Sequence, residues 1–204
     1  VNPSSLKQYF TDFSSVYLTN AFFNISFYGI RSIFVLYAIS RFSLNEKDAI
    51  SLFATFMILC YGTSIIGGYI ADKGLGVKNT IIVGGVFSAL GLLCILSPLQ
   101  DLCFLGLALA SLGSGYFKPN IPTAMGLLFK NSNESQRDKA FSFLYIVGNF
   151  GALVAPIICS FIGETWGWHY GISLIAAVFI GATFFVYKTM HFHPSYKEGT
   201  TLSR

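Results

Sequence analysis

A chain of 204 residues that is 53% hydrophobic and only 11% charged cannot cover a water-soluble surface, because soluble domains carry about a quarter of their residues as charges. Its apolar residues stand in long blocks rather than alternating on faces, which places it among integral membrane proteins. The net charge of +4 is accounted for by loop residues below and calls for no nucleic-acid partner.

Crossing a bilayer as a helix takes about 20 apolar residues. Six segments qualify in chain order: 14–38, 50–71, 80–97, 102–129, 140–163 and 168–187. The breaks between them are short and polar: "SRFSLNEKD", "DKGLGVKN", "SPLQD", "KNSNESQRDK" and "ETWGWH". Lipid cannot satisfy the edges of an open sheet, and the ten-residue alternation of a β-barrel is missing. The expected fold is therefore all-α and integral to the membrane, with six transmembrane helices. The first segment is too long for a cleavable signal peptide and carries Arg31. Because the chain opens with Val1, a processed or truncated N-terminus is expected.

Lysine and arginine set the expected orientation. With the N-terminus in the cytoplasm, the inner segments hold Lys7, Lys73, Lys78, Lys130, Arg137, Lys139, Lys188, Lys197 and Arg204, against Arg41 and Lys47 outside. Both termini are expected on the cytoplasmic side. The Asn133-Glu-Ser sequon then faces the cytoplasm, where it would not be glycosylated. Cys60, Cys94, Cys103 and Cys159 are scattered without metal spacing and read as small hydrophobes. His191 and His193, beyond the last span, read as interfacial residues. No metal, no cofactor and no enzyme are expected, since the spans hold no nucleophile–base pair or ligand cluster.

In the first span, "NAFFNISFYGIR" puts Asn20, Asn24, Tyr28 and Arg31 at about 0°, 40°, 80° and 20° around a helix. An arginine in mid-bilayer costs several kcal/mol if it faces lipid, so this polar stripe must face other helices or a water-filled cavity. Interhelical hydrogen bonding explains the asparagines readily and Arg31 poorly. A ligand or ion-path role is expected for Arg31. The second span brings Tyr61, with Gly67 and Gly68 permitting close helix approach, and ends on Asp72, a hinge or gate candidate. The fourth, "SLGSGYFKPNIPTAMG", sets Lys118 directly before Pro119. Proline removes a backbone donor, and a freed carbonyl at membrane depth is tolerated only against protein or a cavity. The fifth, "FSFLYIVGNFGALVAP", aligns Tyr145 with Asn149 beside Gly148 and Gly151.

Together these stretches resemble the proton-coupled oligopeptide transporters, a branch of the major facilitator superfamily. "GGYIADKGLGVKNTIIVGG" is similar to the family signature across helices two and three, apart from Gly74, where an apolar residue is usual. "FKPNIP" is similar to its fourth-helix motif. "FSFLYIVGNFGALVAP" and "GWHYG" are similar to its fifth-helix signature and the start of helix six. The resemblance runs from about residue 14 to 190. It implies the N-terminal bundle of a two-bundle transporter, with 1–13 as a cytoplasmic N-terminus and 191–204 as a cytoplasmic tail or the start of an inter-bundle linker.

The resemblance also implies roles. Arg31 and Tyr28 match the first-helix residues that face bound peptide, and Tyr61 matches the second-helix binding tyrosine. Lys118 matches the lysine linked to peptide and proton coupling, and Asn149 the asparagine that grips peptide backbone. One motif departs. The family's first helix reads Glu-x-x-Glu-Arg-Phe-x-x-Tyr, where this chain has Asn20, Phe23, Asn24, Ile25 and Tyr28. Both glutamates and the arginine are gone, and Phe23 can neither hold a proton nor pair with Lys118. The expected partners are the lipid bilayer, a di- or tripeptide or related carboxylated solute, and protons only by another route. A second six-helix bundle would come from the rest of the gene, a partner chain or a second copy. The rival expectation is a degenerate or truncated half-bundle acting as a non-transporting membrane subunit or scaffold.

Overall fold

The computed structural model describes residues 3–189, with side chains from residue 13 onward. The chain is helical almost throughout: α1 (Pro3–Phe42), α2 (Glu46–Ile70), α3 (Gly76–Ile95), α4 (Gln100–Phe117), α5 (Asn120–Leu128), α6 (Glu134–Trp166) and α7 (Trp168–Thr189). A π-helical turn, Ala71–Leu75, joins α2 to α3. The tail from 191 onward, including His191 and His193, lies outside the described residues.

Four stretches are long and apolar enough to cross a membrane: Phe13–Phe42, Glu46–Ile95, Glu134–Trp166 and Trp168–Thr189. The 50-residue second stretch far exceeds one crossing, and it breaks at Gly76, whose φ of 74° only glycine adopts freely. Lys118 and Pro119 both keep right-handed helical dihedrals, so α4 runs on into α5. The six segments expected from hydropathy overlap α1, α2, α3, α4 with α5, α6 and α7, and the four stretches take in all of these helices except α4 and α5. The fold class stands: an all-helical, multi-pass integral membrane protein.

Polar residues set the helix starts. Asn45 caps α2 by accepting from the Asp48 amide at 2.8 Å. Asn133 caps α6 through the Gln136 amide at 2.9 Å. The helix dipole favours the acids that follow each cap, Glu46 with Asp48 and then Glu134. The sequon asparagine is therefore a helix cap. The segment "KNSNESQRDK", expected as a break, contributes its second half to α6, because the capped polar turn precedes the apolar run.

Lipid tails supply no hydrophobic drive between helices, so small residues that let backbones touch do the joining. On α3, Gly84 and Gly91 meet Gly106, Ala110 and Gly113 of α4; a Cβ on Gly91 would stand 2.5 Å from the Ala110 nitrogen. Gly67 of α2 lies against the Gly115–Tyr116 backbone, and Thr63 donates to the Ser111 carbonyl at 2.8 Å. Helix α1 runs through the centre, packed on α6 and α7. Its Tyr17 hydroxyl donates to Ala140 of α6 (3.0 Å), and its Tyr37 hydroxyl to Ile95 of α3 (2.6 Å).

Candidate functional site

The polar stripe of α1 divides in two. Asn20 donates to the Leu144 carbonyl of α6 at 2.7 Å, and Asn24 donates back to the Asn20 side chain at 3.0 Å. Gly148 and Gly151 on α6 make room for them: a Cβ on Gly148 would stand 2.9 Å from Asn20 Nδ2. Asn20 joins α1 to α6, and Asn24 braces it from the next turn of α1. Beyond them, Tyr28 is half-buried and Arg31 exposed, with the guanidinium 5.7 Å from the Tyr28 ring centroid.

The α2–α4 seam places the second cation. Close approach at Thr63, Gly67 and Gly115 brings Tyr61 of α2 to the α4–α5 junction, where its ring centroid lies 4.5 Å from Lys118 Nζ. The junction itself is tied down by Asn120, which is buried. Its amide donates to the Tyr116 carbonyl at 2.7 Å and reaches the Gly67 carbonyl of α2 at 3.3 Å. These two bonds fasten the start of α5 to the end of α4 and to α2.

Sequence reasoning missed Phe27. Its ring centroid lies 5.0 Å from Lys118 Nζ, opposite in origin to Tyr61, since it comes from α1. Phe23 stacks on Phe27 (5.6 Å, 17°) and on Phe117 (5.1 Å, 11°). Phe179 of α7 meets Phe23 and Phe117 edge-on. Phe23, expected only as an altered motif position, is the centre of a ring cluster and 2% exposed. The one available signal was the Phe23–Phe27 spacing of four, which puts both rings on one helix face.

The nine carboxylates are Asp12, Glu46, Asp48, Asp72, Asp101, Glu134, Asp138, Glu164 and Glu198, all outside the six apolar segments. No ion pair engages Arg31 or Lys118 among the described residues. Asp72 is exposed in the π-helical turn at the α2–α3 break. Asn149 is exposed on α6, and no hydrogen bond or ring contact among the described residues links it to the other four. Tyr28, Arg31, Tyr61 and Lys118 thus form two cation–ring pairs, while Asn149 stands apart. Two uncompensated cations at membrane depth can do one thing well: attract an anion and hydrogen-bond it strongly.

The family model for the Major Facilitator Superfamily matches residues 16–202. A di-/tripeptide transporter of Lactococcus lactis subsp. lactis (strain IL1403) is 34% identical over 179 residues, covering 83% of this chain and 36% of its own length. The crystal structure of a peptide transporter POT in complex with sulfate superposes with a TM-score of 0.82 at 26% identity, over 91% of this chain and 42% of that one. That of the POT family transporter PepTSo gives 0.80 at 27%, over 90% and 39%. The chain spans little more than a third of the curated relative it matches.

Proposed function

We propose a function from one premise: the chain belongs to the major facilitator superfamily and, within it, to the proton-coupled oligopeptide transporter branch. That family consists of transporters, not enzymes. Residues 14–190 form the first of two six-helix bundles, in the plasma membrane with both termini cytoplasmic. The complete assembly moves a di- or tripeptide, or a related carboxylated solute, across the bilayer. The observation that carries this reading is the pair of cations, Arg31 and Lys118, inside apolar segments and without an ion-paired carboxylate among the described residues.

A peptide carboxylate needs fixed positive charge in a place water does not fill, and its amides need neutral partners. Arg31 supplies a bidentate fork and Lys118 a point charge. Tyr28, Tyr61 and Asn149 supply hydroxyls and an amide. All but Lys118 and Tyr28 are exposed in this chain, which supports a second bundle closing over them from the open side. Coupling to protons through the apolar segment of α1, residues 14–38, has no acid to use, because Asn20, Phe23 and Asn24 carry no carboxylate. Transport is then facilitated, or it draws on a protonatable group elsewhere, with Asp72 acting at the α2–α3 hinge.

Uptake of radiolabelled Ala-Ala into proteoliposomes holding the full-length protein tests the reading. Arg31→Ala is expected to raise the KM by about tenfold or more, since hydrogen bonds to charged groups contribute about 1.5–3 kcal/mol. Uptake indifferent to Arg31→Ala rules the binding role out. Absence of uptake in the wild type favours the non-transporting scaffold.

A further inference from the structure

We propose that Phe27 is a positioning residue for Lys118: with Tyr61 it forms a two-ring clamp that holds the ammonium for an incoming carboxylate, in place of an acidic partner. The inference rests on the carboxylate-binding reading above and assigns the residues that make Lys118 fit for it.

Both ring centroids lie within the range of a cation–π interaction, about 6 Å, at 5.0 Å for Phe27 and 4.5 Å for Tyr61. They arrive from different helices, so the ammonium is held from α1 and from α2 at once. Phe27 is 3% exposed and out of reach of a solute; what it does for binding it does through Lys118. Its ring is set in turn by the Phe23 stack, which continues into Phe117, the residue before Lys118.

The chemistry of the clamp differs from that of an ion pair. A carboxylate partner would cancel the lysine's charge. An aromatic face attracts the ammonium through its quadrupole and carries no net charge, so the full positive charge remains for the solute. A lysine stem is otherwise flexible, and fixing it beforehand lowers the ordering cost of binding. The ring at position 23, where a proton-handling acid would stand, thereby acquires a use: it braces the clamp.

Two measurements on the full-length protein test this. Lysines are labelled with 13C-methyl groups by reductive methylation, and Lys118 is assigned with Lys118→Arg. Rings facing the ammonium should displace its methyl resonance upfield from the other lysines, and Phe27→Leu should return it most of the way. A Lys118 resonance that coincides with the exposed lysines overturns the clamp. In the second measurement, Phe27→Leu should weaken Ala-Ala binding about tenfold and add no further loss in a Lys118→Gln background. Phe27→Tyr, which keeps a ring, should bind as wild type. An equal loss with and without Lys118 marks Phe27 as merely structural and overturns the proposal. If Lys118→Gln leaves binding intact, the carboxylate reading fails, and the clamp then stands or falls on the resonance displacement.

Discussion

Phe23 and Asn20 occupy neighbouring turns of α1 and do unrelated work, which their substitution should expose. Phe23 is 2% exposed and touches three other rings. Phe23→Ala should cost about 3–5 kcal/mol, read as a lowered thermal unfolding temperature in detergent, and should weaken Ala-Ala binding along with it. Asn20 instead bonds Leu144 across the α1–α6 seam, and interhelical bonds of this kind contribute about 0.6–1.7 kcal/mol. Asn20→Ala should lower stability by about 1 kcal/mol while leaving the affinity of surviving protein unchanged; a large affinity loss would return Asn20 to the binding face. Arg31 and Lys118 were legible because a charge inside an apolar run has few structural explanations. Phe27 was not, because one ring among 21 phenylalanines carries no mark until its neighbours are known. The helical wheel puts the four polar residues of α1 within about 80° of one another but could not say that Asn20 turns to α6.

Among the elements, α3 and α4 show most clearly how sequence becomes packing. Their seam is glycine against backbone: a Cβ on Gly91 would stand 2.6 Å from the Gly106 carbonyl, and one on Gly106 2.6 Å from that of Gly91. Gly91→Leu should cost more than about 2 kcal/mol, since overpacking of this size forces backbones apart. Gly181→Ala in α7, where a Cβ meets nothing within 4 Å, should be neutral or slightly stabilising in the same thermal unfolding assay. Equal effects at both positions would contradict the close-packed seam. Hydropathy located the apolar stretches of these helices but not where the helices end. Helix α6 begins at Glu134, inside a polar stretch, because a capped helix needs no apolar residues in its first turn. The α2–α3 break, read as a loop, is a π-helical turn closed by one glycine.

Across the whole molecule, the nine carboxylates lie outside the six apolar segments, while Arg31 and Lys118 lie inside them. Small residues draw α2 onto α4 and α1 onto α6, and that packing carries Tyr61 and Phe27 to Lys118. The architecture was legible because bilayer thickness imposes length on every apolar run. Of the candidate site only the charges were legible, since the rings around them are set by which helices neighbour one another. The proposed recognition of a carboxylate by Arg31 and Lys118 is tested most directly by comparing the affinity of the full-length protein for Ala-Ala and for its C-terminal amide. The free acid should bind at least tenfold more tightly, about 1.4 kcal/mol, and that margin should vanish in Arg31→Ala combined with Lys118→Gln. Equal affinity for acid and amide in the wild-type protein would contradict it.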